Sequence, residues 1–147
     1  MPSNREVTVI HGSKQSWVRL QLAPVAPREN DRMPSLIISM TRQKGKNRVG
    51  FSIALSVGEA LLLGDRLTLK YHKWPQGGIF HKFQQQHIKK LDVRDTEQGT
   101  FIVLSGGSGE GNRVALKLEP HESRLVAETC YIWAKKVLGA RMVVDEQ

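Results

Sequence analysis

Cysteine occurs once in the 147 residues, at Cys130, so neither an internal disulfide nor a cysteine-based metal cluster can form. Its neighbours Thr129 and Tyr131 fall in a helical pattern, which predicts a buried structural thiol. Long apolar runs are also missing. The longest, Ala60-Leu61-Leu62-Leu63, is far short of the ~20 residues that span a bilayer, so no membrane partner is expected. The opening residues Met1 to Glu6 show neither a secretory nor a transit-peptide pattern, which sets the expectation of an intracellular setting. Catalytic signatures are lacking too. There is no serine elbow and no pair of acids suited to nuclease metals. The glycine-rich stretch Gly106 to Gly111 lacks the Gly-Lys-Ser/Thr ending of a phosphate loop and leads into a strand instead of a helix. His72, His81 and His87 are irregularly spaced, and no thiol or carboxylate completes a tetrahedral set around them. The expectation is a protein without catalytic residues, cofactor or metal, and not an enzyme.

Acids are the scarce charges. Lysine and arginine total 22 against 14 aspartates and glutamates, a net +8. Such an excess speaks of partners, not of fold, and nucleic acid is the commonest polyanionic partner. The distribution sharpens this. Arg42, Lys44, Lys46 and Arg48 fall within seven residues, with no acid among them. From Arg66 to Arg94 there are seven basic residues and one acid, Asp92. The acids gather late, at Glu119, Glu122, Glu128, Asp145 and Glu146. A segregated positive field is the footprint of a nucleic-acid binder.

Apolar–polar alternation predicts the strands. A weak one covers Val7 to Ile10. In Trp17 to Leu22, Val18, Leu20 and Leu22 share one face while Trp17, Arg19 and Gln21 share the other. Ser35 to Arg42 and Arg48 to Leu55 alternate likewise, joined by a hairpin at Gln43 to Asn47 in which Gly45 supplies the turn. Pro24 and Pro27 are expected to end the second strand and open a polar loop reaching Pro34. The period then changes. Ser56 and Glu59 form a capping box for a helix that ends at Gly64 or runs on to about Leu69. The second half repeats the plan, with strands at Ile79 to Phe83, His87 to Arg94, Thr100 to Ser105 and Arg113 to Leu118. A final helix begins at Pro120, carries Leu125, Ile132, Trp133 and Val137, and is capped by Gly139. The fold class is therefore α+β, with two antiparallel four-stranded sheets each followed by a helix. It forms one domain over residues 1–147, of which 139–147 are expected to be a flexible tail. Each helix is expected to cover the apolar face of a sheet, leaving the opposite faces open.

Trp17, Arg19 and Gln21 form the sharpest candidate site. A tryptophan on the polar face of a strand can stack bases, and an adjacent arginine can meet phosphate or stack in turn. The competing role for Trp17 is packing against a loop or a neighbouring subunit. Arg42, Lys44, Lys46 and Arg48 crowd a hairpin tip able to reach a phosphate backbone. Phe80 and Lys82 share a strand face and offer an aromatic–basic pair. Lys89 and Lys90 point to opposite faces, so only one of them can extend a given surface.

The order of elements and several local stretches resemble the Whirly family of single-stranded-DNA-binding proteins. That family belongs to a wider group with the trypanosome mitochondrial RNA-binding proteins and the positive-cofactor-four-like coactivators. Phe51 to Gly64 looks like the family's strand, capped helix and terminal glycine. Gly99 to Ser105 looks like its following "GYFISLS" strand, and Asn112 to Leu118 and the helix ending at Gly139 occupy the places of its last two elements. Lys14 to Pro24 sits where the family carries "KGKAALSVEP", but here it begins Lys-Gln-Ser-Trp-Val-Arg. The resemblance runs from about Val7 to Gly139. It implies a ββββα-ββββα fold, a homotetramer with binding clefts between strand walls of neighbouring subunits, and sequence-tolerant binding of single strands, DNA favoured. RNA binding or annealing on the same fold, or a non-enzymatic protein-interaction or coactivator role, are the alternatives.

Overall fold

The computed structural model describes residues 6–26, 34–69, 73–83, 87–106 and 112–146. Its first half comprises β1 (Val7–Gly12), β2 (Ser16–Val25), β3 (Ser35–Lys44), β4 (Asn47–Leu55) and α1 (Val57–Leu69). The second comprises β5 (Ile79–Phe83), β6 (His87–Thr96), β7 (Gly99–Ser105), β8 (Arg113–Leu118) and α2 (Pro120–Glu146). The strands make two antiparallel meanders, β1-β2-β3-β4 and β5-β6-β7-β8.

Each meander is amphipathic by alternation. Leu20, Leu22, Leu36, Ile38, Met40, Ile53 and Leu55 of the first sheet are buried, as are Leu91, Ile102, Leu104, Val114 and Leu116 of the second. Burying each such side chain fully contributes about 1.5–3 kcal/mol. These two faces, with Ala60 and Leu63 of α1 and Val126, Cys130, Trp133 and Ala134 of α2, form one continuous core. The sheets also meet directly. A Cβ added at Gly106 would come within 2.7 Å of the Phe51 ring, so glycine is needed where β7 ends against β4. The expectation of one helix per sheet is therefore refined: the helices pack on one another, and both sheets share the core with them.

Local chemistry explains the boundaries. β2 runs through Pro24, which was expected to end it. Among the described residues β1 pairs with β2 from Trp17 to Leu22, so Pro24 lies beyond that stretch of ladder, where a residue without an N–H is best tolerated. The β3–β4 connection shrinks to the two residues Gly45 and Lys46, with Gly45 at φ +61° and Lys44 opposite Asn47. At the head of α1 the capping box is formed. The Glu59 N–H donates to Ser56 Oγ at 3.2 Å, and the Ser56 N–H donates to Glu59 Oε1 at 3.0 Å.

α1 passes through Gly64 and continues to Leu69. Gly64 is where α2 comes close: a Cβ there would lie 3.0 Å from the Tyr131 ring, whose hydroxyl bonds to Asp65 and Thr68. α2 likewise runs past Gly139, the expected cap, so the stretch expected as a tail is helical as far as Glu146. Its apolar residues divide between two faces. Val126, Cys130, Trp133 and Ala134 are buried, whereas Leu125 (42 %) and Ile132 (54 %) are exposed.

One feature ties the halves together. Glu122 repeats in α2 the part Glu59 plays in α1, accepting the Glu119 N–H at 2.8 Å. Each of these glutamates also binds a histidine of the other half. Glu59 meets His81 of β5 at 2.8 Å, and Glu122 meets His11 of β1 at 2.7 Å.

Candidate nucleic-acid interface

Because the inner faces of both sheets are consumed by the core, the outer faces are the surfaces left for a ligand. On the first sheet the pairing register lays out three rows: Trp17–Gln43–Arg48, Arg19–Thr41–Gly50 and Gln21–Ser39–Ser52 across β2, β3 and β4. The floor is small and polar, with Ser39 Oγ 2.9 Å from Ser52 Oγ. At one end stands the half-buried Trp17, and two guanidiniums lie against its ring. Cζ of Arg19 is 5.3 Å from the ring centroid and Cζ of Arg48 is 5.4 Å from it. Among the described residues neither arginine has a carboxylate partner. Two cations held by one indole make a dense positive spot on a flat sheet.

The expected tip cluster is divided by strand alternation. Arg48 joins Trp17 and Arg19. Arg42 and Lys44 belong to the opposite face of β3, and Arg42 Nη1 donates to the Arg113 carbonyl at 3.2 Å, bridging to the second sheet. Lys46 sits in the turn, exposed.

The second sheet presents a similar surface. Phe80, 56 % exposed, lies under the ammonium of Lys90 at 5.4 Å. The row Phe80–Lys90–Ser105–Arg113 continues across all four strands. Lys82 shares the Phe80 face by alternation. Lys89 pairs in register with His81 and shares its face, toward α1, so of the two lysines Lys90 serves the outer surface. A shallow depression of about 510 Å³ lies beyond, floored by Phe101 and Val103 and walled by Arg94 and Arg113.

Sequence reasoning placed Arg94 near Lys89 and Lys90 on a strand that could extend the track, but missed Phe101, Arg113 and Lys117 as outer-face residues. The signal was present in β8, where Arg113 and Lys117 alternate with the buried Val114 and Leu116. Two acids lie here among the described residues: Glu97 at the rim of that depression, and Asp92, which is 9 % exposed. It accepts from Trp74 Nε1 at 2.9 Å, the Val93 N–H at 2.9 Å and Arg94 Nε at 3.3 Å, so its charge is engaged from three sides.

The remaining titratable groups have structural roles. Burial pushes the Cys130 thiol up to about 12, which leaves it an inert thiol in the core. Partial burial pulls the Glu122 carboxyl upward, but the Glu119 N–H and the His11 hydrogen bond and charge together hold it below its ordinary value. Of the three histidines weighed for metal, His81 is bound to Glu59. The His72 residue and the His87 side chain lie outside the described residues. Among the described residues no group of three or more His, Cys, Asp or Glu side chains forms a metal site, and no helix is long and apolar enough to cross a membrane.

No family model matches the chain, and no curated protein matches it in sequence. Solved structures do match. That of the plant transcriptional regulator PBF-2, a Whirly protein, aligns over 99% of this chain and 88% of its own, with a TM-score of 0.65 at 14% identity. The fold is Whirly-like. Two antiparallel four-stranded sheets, each followed by a helix, are common to the Whirly protein and to this chain. At this identity it is the architecture that the two share.

Proposed function

We propose that this chain is a sequence-tolerant, non-enzymatic single-stranded nucleic-acid-binding protein, with single-stranded DNA favoured. The observation that carries the reading is the outer face of the first sheet: an aromatic ring and two carboxylate-free guanidiniums on a flat polar floor. Single-strand binders combine such elements, because every base has a stacking face and every nucleotide a phosphate. Trp17 stacks a base, Arg19 and Arg48 meet phosphates, and Gln21 bonds base or sugar edges. On the second sheet Phe80 and Lys90 act in the same way, with Lys82 alongside. Lys44 and Lys46 add charge at the tip. Arg42, engaged with the Arg113 carbonyl, and Lys89, on the inner-facing side, have lesser parts.

The Whirly-like fold supports this reading, as does the net charge of +8. The exposed Leu125 and Ile132 of α2 support assembly. Ile132 lines an apolar groove of about 490 Å³ together with Val7, Pro24, Val25, Leu36 and Trp133, and a homotetramer joined through its helices covers such a surface.

Fluorescence anisotropy with oligothymidylate, the matching ribo-oligomer and a blunt duplex tests the reading. Binding is expected to be tighter for the single strands, and log affinity is expected to fall with log salt by about 0.7 per phosphate contact. Equal affinity for the blunt duplex refutes stacking on the sheet.

A further inference from the structure

We infer that Trp17 is an exchange platform, on which an incoming base displaces an arginine and thereby hands that arginine to the strand's own phosphate. The inference rests on the single-strand reading above and goes beyond it by ordering the events at one site. Arg19 Cζ and Arg48 Cζ lie 5.3 and 5.4 Å from the centroid of the same indole. Arg19 reaches it along β2. Arg48 reaches it from β4, at the end of the row that begins with Trp17. Among the described residues no carboxylate neutralises either one. In the unbound protein the indole is therefore their resting place.

A ring that holds two guanidiniums within cation–π range has less free surface for a base than a bare ring. A base that stacks on Trp17 must take the position of one guanidinium. That guanidinium loses a contact worth little at an exposed site. It gains a charged oxygen, to which arginine bonds in a fixed fork. Base and phosphate of one nucleotide are thus captured together, and each half of the exchange favours the other. A strand of bare phosphates must pull an arginine off the ring with nothing to replace it. A free base must compete with cations that have nowhere better to go. Arg19 shares its row with the small Thr41 and Gly50, and Gln43 stands between Trp17 and Arg48. The second sheet repeats the arrangement with one cation, Lys90 at 5.4 Å from the Phe80 ring. On the first sheet Trp17 and Arg19 lie two residues apart on β2, whereas on the second Phe80 and Lys90 are register partners on β5 and β6.

The test compares oligothymidylate with an abasic strand of equal length, titrated into the wild-type protein, Trp17→Ala and Trp17→Leu. The leucine keeps apolar bulk over the sheet, and the thermal midpoint of each variant reports whether it folds. Exchange predicts effects of opposite sign. Loss of the ring weakens oligothymidylate binding by about 5- to 150-fold, one stacked base. It tightens abasic binding by about 2- to 5-fold, because the arginines no longer have to leave a ring, whereas unchanged abasic binding means stacking without exchange and overturns the inference. A parallel loss on both strands means that the ring only positions the arginines. That overturns exchange and leaves single-strand binding standing. No change on either strand overturns it as well. A wild-type protein that holds neither strand overturns exchange and the functional reading together.

Discussion

Arg42 and Arg48 lie six residues apart around the same two-residue turn, yet they are expected to respond differently to removal. Arg48 stands on the outer face, its guanidinium 5.4 Å from the Trp17 centroid. Arg42 stands on the other face and donates to the Arg113 carbonyl at 3.2 Å. If each lost arginine meant one lost phosphate contact, the log–log salt slope for a single strand would fall by about 0.7 in either variant. Over a fourfold rise in salt, 0.7 log units per decade amounts to about 2.6-fold in affinity. The proposed interface puts most of that change on Arg48→Ala. Its deficit relative to wild type is therefore about 2.6-fold larger at the low end of such a range than at the high end. Arg42→Ala keeps nearly the wild-type slope. It instead loses a hydrogen bond between the sheets, an exposed one worth about 0.5–1 kcal/mol, which a denaturation midpoint will register. Anisotropy titrations at several salt concentrations measure both slopes. Should Arg42→Ala flatten the slope as much as Arg48→Ala, the division of the tip by strand alternation has no functional meaning, and the assignment of the interface to outer faces fails.

Two further outcomes follow from the fold. Glu122 has its carboxyl held below its ordinary value of 4.5, so its contribution to stability is present above pH 4.5 and is lost as pH falls through the lower folded value. Glu122→Gln is therefore expected to show a shallower fall of thermal midpoint on acidification than wild type, and an identical acid limb contradicts the assignment. Ile132→Glu places a charge on the exposed face of α2; light scattering is expected to show the assembly reduced from about four times the 16.5 kDa chain, with single-strand binding weakened through lost avidity. A stable wild-type monomer that still binds single strands refutes the assembly.

Much of the architecture was legible because period and punctuation agree. Alternation set Trp17, Arg19 and Gln21 on one face and Leu20 and Leu22 on the other, and the Ser56–Glu59 box marked the switch from strand to helix. What escaped has specific causes. Reading Arg42 to Arg48 as one cluster followed distance along the chain, whereas the alternation of β3 sends Arg42 to the opposite face. Gly139 looked like a cap, but Ala140, Arg141 and Met142 after it are strong helix formers, and a single glycine costs a helix only about 1 kcal/mol. In α2, Leu125 and Ile132 run one position behind Val126 and Trp133. Their two stripes merge in any pattern, and only packing tells the buried one from the exposed one. The site was half visible: Trp17 with Arg19 was readable on one strand. Arg48 comes to them through two strand pairings that no local pattern records.

The histidines at the helix heads were unreadable for the same reason, since His11 and Glu122 are 111 positions apart. Their arrangement has a mechanical result. The carboxylate that caps α1 grips a strand of the second sheet, and the carboxylate that caps α2 grips a strand of the first, like two hands each holding the other's wrist. Peeling β1 away uncouples the head of the far helix, and peeling β5 away does the same to the near one. With the core that both halves share, this leaves no seam among the described residues along which one half is expected to be shed intact. Severed between α1 and β5, the chain would survive only as two fragments that find each other again, neither keeping its shape alone.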